Sequence, residues 1–481
     1  MIAAAIRIAV LVPVLAATMS GTGPIPRTTA TTQPSTAQPS TAQPSAIRLG
    51  FPRPPPVDTR QLPRDSRPTA LPGVRQSTPC ARAQPGRVNT GPNLRELRQA
   101  PELAQLWKSS RGVGVRIAVI DSGVSPHPLL GNRLIDGGDY VTGGTGLADC
   151  DGHGTAVAGI AAAGTDVGSG FSGVAPMAEV LSLRQSSSSF SVPGPGGTWR
   201  AAGDIDTLAR AVLRAVELGA GVINISQVVC LPAQQAATEA APLQAAIHAA
   251  VQRNVVVIAA AGNMPSPSCP DRPDRDMVVL PAWYDDDVLA VASLGPDGAA
   301  SAFSIRAPWV DVAAPGERLI SLSATGPELT DAVSDIASDA SATSVAVPMR
   351  GTSFAAPAVA GLAALVRARY PALTARQVMD RITATATRRG EGHNLSTGWG
   401  AVDAKAALTR TPAVLPPPTS DDADQPIGTR TLALPAPDHR KSTTPTAHWA
   451  GLLGLLTAMG ATAIAVSRQR TQRTQRTRPR R

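Results

Sequence analysis

Ser353 sits in Gly351-Thr352-Ser353-Phe354-Ala355-Ala356-Pro357, where a Gly-Thr turn runs into the alanine-rich segment Ala358 to Ala368. That segment has few breakers and stops before Pro371, so it reads as a helix. Pro357 is tolerable only near its start, where the missing N–H is not needed. Ser353 is then expected at or just before a helix N-terminus, beside free N–H groups and the positive end of the dipole. That setting suits a nucleophile whose product state is an oxyanion. Alone, the same turn reads as an ordinary Ser/Thr cap. Asp121 follows the short β-branched run Val115 to Ile120. A carboxylate at the carboxyl end of a buried parallel strand is where an open α/β sheet builds its site, although a lone Asp there is commonly a turn cap. His153 lies in Asp151-Gly152-His153-Gly154-Thr155, between glycines that permit close backbone approach, and is one of six histidines. A lone histidine is more often structural than catalytic. Together the three fit a Ser-His-Asp triad, because serine needs a positioned base and the base needs a carboxylate to fix its tautomer and stabilise the imidazolium. Asn263 follows the apolar run Val255 to Ala261. Its side-chain amide can donate to a developing oxyanion, and one such donor is worth roughly 3–4 kcal/mol of barrier.

The chain order Asp, His, Ser is the subtilisin order. Asp121-Ser-Gly, His153-Gly-Thr, Asn263 after Ala-Ala-Gly, and Gly-Thr-Ser353-Phe-Ala-Ala-Pro resemble the four signatures of the subtilisin-like serine proteases, over about Leu94 to Leu408. Gly398-Trp399-Gly400-Ala401-Val402-Asp403 is similar to the closing motif of that family. The resemblance implies that Asp121 orients, His153 acts as base and then acid, and Ser353 attacks. It also implies that Asn263 stabilises the oxyanion together with the Ser353 N–H. Asn224-Ile225-Ser226 matches the segment that binds extended substrate backbone as an added strand. Gln227-Val228 stand where subtilisins usually carry Leu-Gly.

The elements that must position these residues alternate strand with helix. Strands are expected at Val180 to Leu183, Gly221 to Ser226, Val288 to Val291 and Val310 to Ala313, and helices at Leu94 to Trp107, Thr207 to Leu218 and Leu243 to Arg253. That rhythm predicts a parallel sheet with helices on both faces, and the resemblance implies that this is the three-layer α/β subtilisin-like fold. Two stretches break it. Ser186 to Gly203 is rich in Ser, Gly and Pro, and Ala324 to Pro348 is long, acidic and polar. Both are expected to border the cleft and restrict access. Asp285-Asp286-Asp287 reads as a solvated turn, and no metal or cofactor is assigned.

The net charge of +9 is unevenly spread. Residues 112–410 hold 20 Lys and Arg against 27 Asp and Glu, so the catalytic region is acidic and carries no nucleic-acid footprint. The basicity lies in the extensions. Residues 1–20, with Arg7 before the apolar run Ile8 to Ala17, read as a secretory signal peptide. Residues 21–91 are rich in Pro, Thr, Ser, Gln and Arg and carry a five-residue repeat from Gln33. That composition cannot bury a core, so it predicts extended chain lying as a strap on the catalytic domain, 92–408. Export makes disulfides expected. Cys80, Cys150, Cys230 and Cys269 allow three pairings. Cys80–Cys150 and Cys230–Cys269 are favoured because each joins chain that already comes near the cleft. Residues 409–447 read as a Pro-rich linker and 448–467 as one C-terminal transmembrane helix. The arginine-rich tail, 468–481, is expected in the cytoplasm with the catalytic domain outside. This arrangement is similar to that of the mycosins, membrane-anchored subtilases of type VII secretion systems. The resemblance implies protein or peptide substrates and association with that membrane complex. It also implies a second possible role, as a structural stabiliser of the complex.

Overall fold

The computed structural model describes residues 50–81, 100–388 and 392–410, apart from 167, 267–268, 270–275 and 336–344. Seven strands form its central sheet, named here in chain order: β1 Arg116–Asp121, β2 Leu134–Asp139, β3 Glu179–Arg184, β4 Val222–Ile225, β5 Val256–Ala260, β6 Leu289–Leu294 and β7 Val312–Pro315. Their spatial order is β7-β6-β5-β4-β1-β3-β2, and every neighbouring pair is parallel. Such strands are buried on both faces and read as continuous apolar runs rather than alternating ones.

The period of two assigns side chains to the two faces. Ile117, Val119, Val222, Val256 and Ile258 point to one core, which is completed by the helices His153–Ala162 and Thr352–Arg369. Ala118, Ile120, Ile223, Ile225 and Val257 point to the other, beneath the helices Ile205–Glu217 and Ala241–Gln252. The result is three layers, helix on sheet on helix. Because the strands are parallel, the carboxyl ends of β1, β4 and β5 share one edge, and the residues that follow them come together there.

The described residues before the domain, 50–81, have no core of their own. Residues 50–81 lie extended on the catalytic domain, with a short turn at Thr59–Gln61 and a two-residue strand at Arg75–Gln76. Main-chain acceptors anchor it: Trp283 Nε1 donates to Pro52 O at 2.8 Å and Gln244 Nε2 to Pro55 O at 2.7 Å. Arg75–Gln76 pairs antiparallel with Ser187–Pro193, which pairs with Trp199–Ala202. The Ser/Gly/Pro-rich stretch that breaks the strand–helix rhythm is therefore a hairpin widened to three strands. From Ala324 to Pro348, Leu329–Thr330 pairs antiparallel with Ser321–Leu322 just before the stretch, and Ala332–Asp335 pairs antiparallel with Val345–Pro348 within it.

The structure forms the disulfides Cys80–Cys150 and Cys230–Cys269. Asp287 departs from the solvated turn expected of it. It is buried, and its carboxylate meets His248 Nδ1 at 2.8 Å and Arg376 at 3.8 Å. Among the described residues no helix is long and apolar enough to cross a membrane. The predicted span at 448–467, the signal peptide, the linker beyond Arg410 and the tail lie outside the described residues.

Candidate active site

Asp121 ends β1 and is fully buried. Its Oδ1 accepts the Ser122 N–H at 2.7 Å and lies 2.7 Å from His153 Nδ1. A carboxylate there assigns the imidazole proton to Nδ1 and leaves the lone pair on Nε2. Gly154 makes the approach possible: a Cβ on it would sit 2.1 Å from Gly123 O and 3.2 Å from Asp121 Oδ1. His153 opens its helix rather than following it, and the Phe354 ring lies against it with centroids 5.0 Å apart. Burial works against the imidazolium, but the charge and hydrogen bond of Asp121, with Asp149 and Asp151 behind it, outweigh burial. The His153 pKa lies above its ordinary value.

Ser353 comes from the other helix. That helix begins at Thr352, six residues before the expected Ala358, so Ser353 is the second helical residue and Pro357 lies inside. A helical proline removes the N–H that would reach the carbonyl four residues back, here Ser353 O. The gap is filled from β4: Ser226 Oγ donates to Ser353 O at 2.8 Å and accepts from Asn224 Nδ2 at 2.9 Å. Asn224 and Ser226 are both buried, so these side chains hold the serine's main chain from beneath.

Asn263, three residues past β5, faces the same point. Its Oδ1 accepts from Thr352 N at 2.9 Å and Thr352 Oγ1 at 3.0 Å. This fixes the amide with Nδ2 turned the other way. A Cβ on Gly351 would lie 2.9 Å from Ser353 Oγ and 3.3 Å from Asn263 Nδ2, so these two groups flank one small space. The Ser353 N–H, in the first helical turn, is one of the donors a helix leaves unpaired.

Sequence reasoning missed Thr352, which orients Asn263 and whose Oγ1 also accepts from Gly262 N at 3.1 Å. The Gly-Thr-Ser spelling was the available signal, but it pointed to a cap. Both stretches that broke the strand–helix rhythm adjoin the histidine turn. Ser187, Ser188 and Ser189 donate to the Asp151 carboxylate, and Ala324 Cβ lies 3.7 Å from where a Cβ on Gly152 would be.

Residues 112–400 match the Subtilase family. Mycosin-4 of Mycobacterium tuberculosis (strain ATCC 25618 / H37Rv) is 42% identical over 428 residues, spanning 86% of this chain and 91% of that protein. Mycosin-3 of the same organism is 40% identical over 450 residues, spanning 87% and 93%. Among solved structures, the MycP3 protease from the type VII (ESX-3) secretion system superposes with a TM-score of 0.63 at 38% identity, covering 74% of this chain and all of that one. A chain of the intact ESX-5 inner membrane complex superposes with a TM-score of 0.67 at 35% identity, covering 86% and 99%. The chain belongs to the subtilase family, the subtilisin-like serine proteases, and it is similar to the mycosins within it.

Proposed function

We propose that the chain is a membrane-anchored, extracytoplasmic serine endopeptidase of a type VII secretion system, with Asp121, His153 and Ser353 as its triad. His153 Nε2 takes the Ser353 Oγ proton as Oγ attacks a peptide carbonyl. Asp121 holds the Nδ1–H tautomer and stabilises the imidazolium. Asn263 Nδ2 and the Ser353 N–H receive the oxyanion. His153 then returns the proton to the leaving amine, and water repeats the cycle on the acyl-enzyme. Main chain near Ser226 supplies the edge on which extended substrate lies. The observation that carries this reading is the shared space beside Gly351, bounded by Ser353 Oγ and Asn263 Nδ2.

The test is labelling of the full chain, in membranes, by a fluorophosphonate probe beside Ser353→Ala and His153→Ala. Labelling that requires both residues supports the reading, and a folded protein that stays unlabelled refutes it. A second reading, a structural part of the secretion complex with proteolysis dispensable, is favoured by the match to a chain of the ESX-5 inner membrane complex. Secretion that survives Ser353→Ala but fails when the whole protein is absent selects it.

A further inference from the structure

The turn that carries His153 has no capping side chain of its own. Gly152 occupies the N-cap of the helix His153–Ala162, with φ at 79°, and offers nothing to the free N–H groups of the first turn. Asp149 serves them from outside the helix. Its Oδ1 accepts from Gly152 N at 2.8 Å and Asp151 N at 3.2 Å, and its Oδ2 accepts from Thr155 N at 2.8 Å and Thr155 Oγ1 at 2.6 Å.

A cap alone would stop there. Asp149 Oδ1 also accepts from Ser122 Oγ at 2.8 Å. Ser122 Oγ accepts in turn from Gly154 N at 2.9 Å, and its own N–H donates to Asp121 Oδ1. Thr155 Oγ1 adds a second tie by accepting from Ser125 N at 2.9 Å. Residues on both sides of His153 are thus bonded, through one buried carboxylate, to the loop that begins at Asp121.

This clamp matters because the grip of Asp121 on the imidazole is single. Asp121 Oδ1 takes both the Ser122 N–H and the His153 ring N–H, while Oδ2 is buried without a hydrogen-bond partner among the described residues. One bond fixes the distance to the ring but leaves its swing to the backbone that carries it. We propose that Asp149 is a positioning residue for His153, clamping the histidine turn to the strand end that carries Asp121. This rests on the triad reading above.

The charged groups around Asp149 are Asp151, whose carboxylate is occupied by Ser187, Ser188 and Ser189, and Asp121 with His153 across the Ser122 bridge. Burial raises the Asp149 pKa to about 6, against the opposing hydrogen bond of the Thr155 hydroxyl. Protonation below that pH adds a hydrogen where five donors converge, so the clamp loosens on the acid side.

The test is Asp149→Asn in the full chain, read by fluorophosphonate inactivation resolved into kinact and KI over pH 5 to 9, with Ser353→Ala as the blank. An amide cannot accept from all five donors. We expect kinact to fall on the order of 100-fold, the size of effect an ångström of misplacement produces, with KI unchanged. The acid limb of kinact/KI moves to lower pH, because one of the charges holding the His153 pKa up is gone. A role in stability alone would lower the titrated fraction of active sites and leave both kinact and the limb in place. Asp149→Asn with wild-type kinact and an unmoved limb overturns the proposal. If that variant does not fold, Thr155→Val and Ser122→Ala each remove one donor and decide in the same way, with wild-type kinact in both overturning it. A wild-type chain that is not labelled sinks the triad reading instead, a failure distinguishable from that of any variant.

Discussion

Ser226 and Pro357 make one prediction that can be worked from the structure. Pro357 has no N–H, so the Ser353 carbonyl lacks its helical partner and takes the Ser226 hydroxyl at 2.8 Å instead. Ser226→Ala strips that donor from a buried carbonyl, which costs about 1–3 kcal/mol. The upper half of the range is expected, because the same change takes the acceptor from Asn224 Nδ2, on a residue whose Oδ1 already has no partner among the described residues. Pro357→Ala supplies a new N–H, a gain of about 1 kcal/mol. It also loosens the unfolded chain, a loss of about 0.4–1 kcal/mol, so alone it is close to neutral. In the Ser226→Ala background the new amide takes the vacated carbonyl. The double variant should therefore be about 1–2 kcal/mol less destabilised than the two single costs added together. The assay is equilibrium guanidinium unfolding of the oxidised chain ending at residue 411, where the compact unit ends, followed by tryptophan fluorescence. All proteins carry Ser353→Ala to prevent autolysis, which leaves the carbonyl intact. Costs that simply add, within about 0.5 kcal/mol, would refute the pairing of serine hydroxyl with proline gap.

Three further outcomes are expected. Asn263→Ala removes the amide beside Ser353 Oγ and should slow fluorophosphonate labelling by roughly 100- to 1,000-fold without lowering the melting temperature in proportion. Asp311 is held up to about 8 by burial, with Asp311 Oδ2 accepting from Ala290 N at 2.7 Å. A carboxyl whose folded pKa is raised gives stability that is present below its unfolded pKa and lost as pH rises through the folded one. Asp311→Asn keeps an acceptor and removes the charge, so its gain in melting temperature over wild type should grow from about pH 4 to about pH 8 and then level off; a pH-independent difference would contradict this. Replacing both Cys80 and Cys150 with Ser opens a link between residues 70 apart and should lower stability by about 4 kcal/mol in chemical denaturation, with no loss if the extension is held by its hydrogen bonds alone.

The parallel sheet was legible because its strands are buried on both faces, so Val115 to Ile120 and Val255 to Ala261 announce β1 and β5 to within a residue or two. Helices with one apolar stripe were equally plain, as Thr207 to Leu218 against Ile205–Glu217 illustrates. What local pattern could not supply was a distant partner. Pro357 places the serine helix too late by the usual rule, because the rule cannot know that Ser226 stands where the lost N–H would have been. Ser187 to Ser189 have weak strand propensity, yet they form a strand because Asp151 takes their hydroxyls and Arg75–Gln76 adds its edge. Asp149 belongs to no motif; its bonds to Ser122 and, through Thr155 Oγ1, to Ser125 tie it to the loop that begins at Asp121. The candidate triad residues could be read from their motifs, whereas the residues that hold them are brought to the site only by the fold.

The extension follows the same logic. Ser77 N and Thr78 N donate to Ser189 O, Ala81 N donates to Cys150 O at 2.7 Å, and Cys80 is bonded to Cys150. Ser189 donates to the Asp151 carboxylate, and Cys150 lies between the two carboxylates, Asp149 and Asp151, that organise the histidine turn. An inhibitory segment would instead have to reach the space beside Gly351. Among the described residues no hydrogen bond or ion pair joins residues 50–81 to Ser353, Asn263 or Ser226. Residues 50–81, the described part of the extension, therefore tie to the histidine turn and not to the space beside Gly351, the arrangement expected of a strap that belongs to the fold rather than of a removable plug.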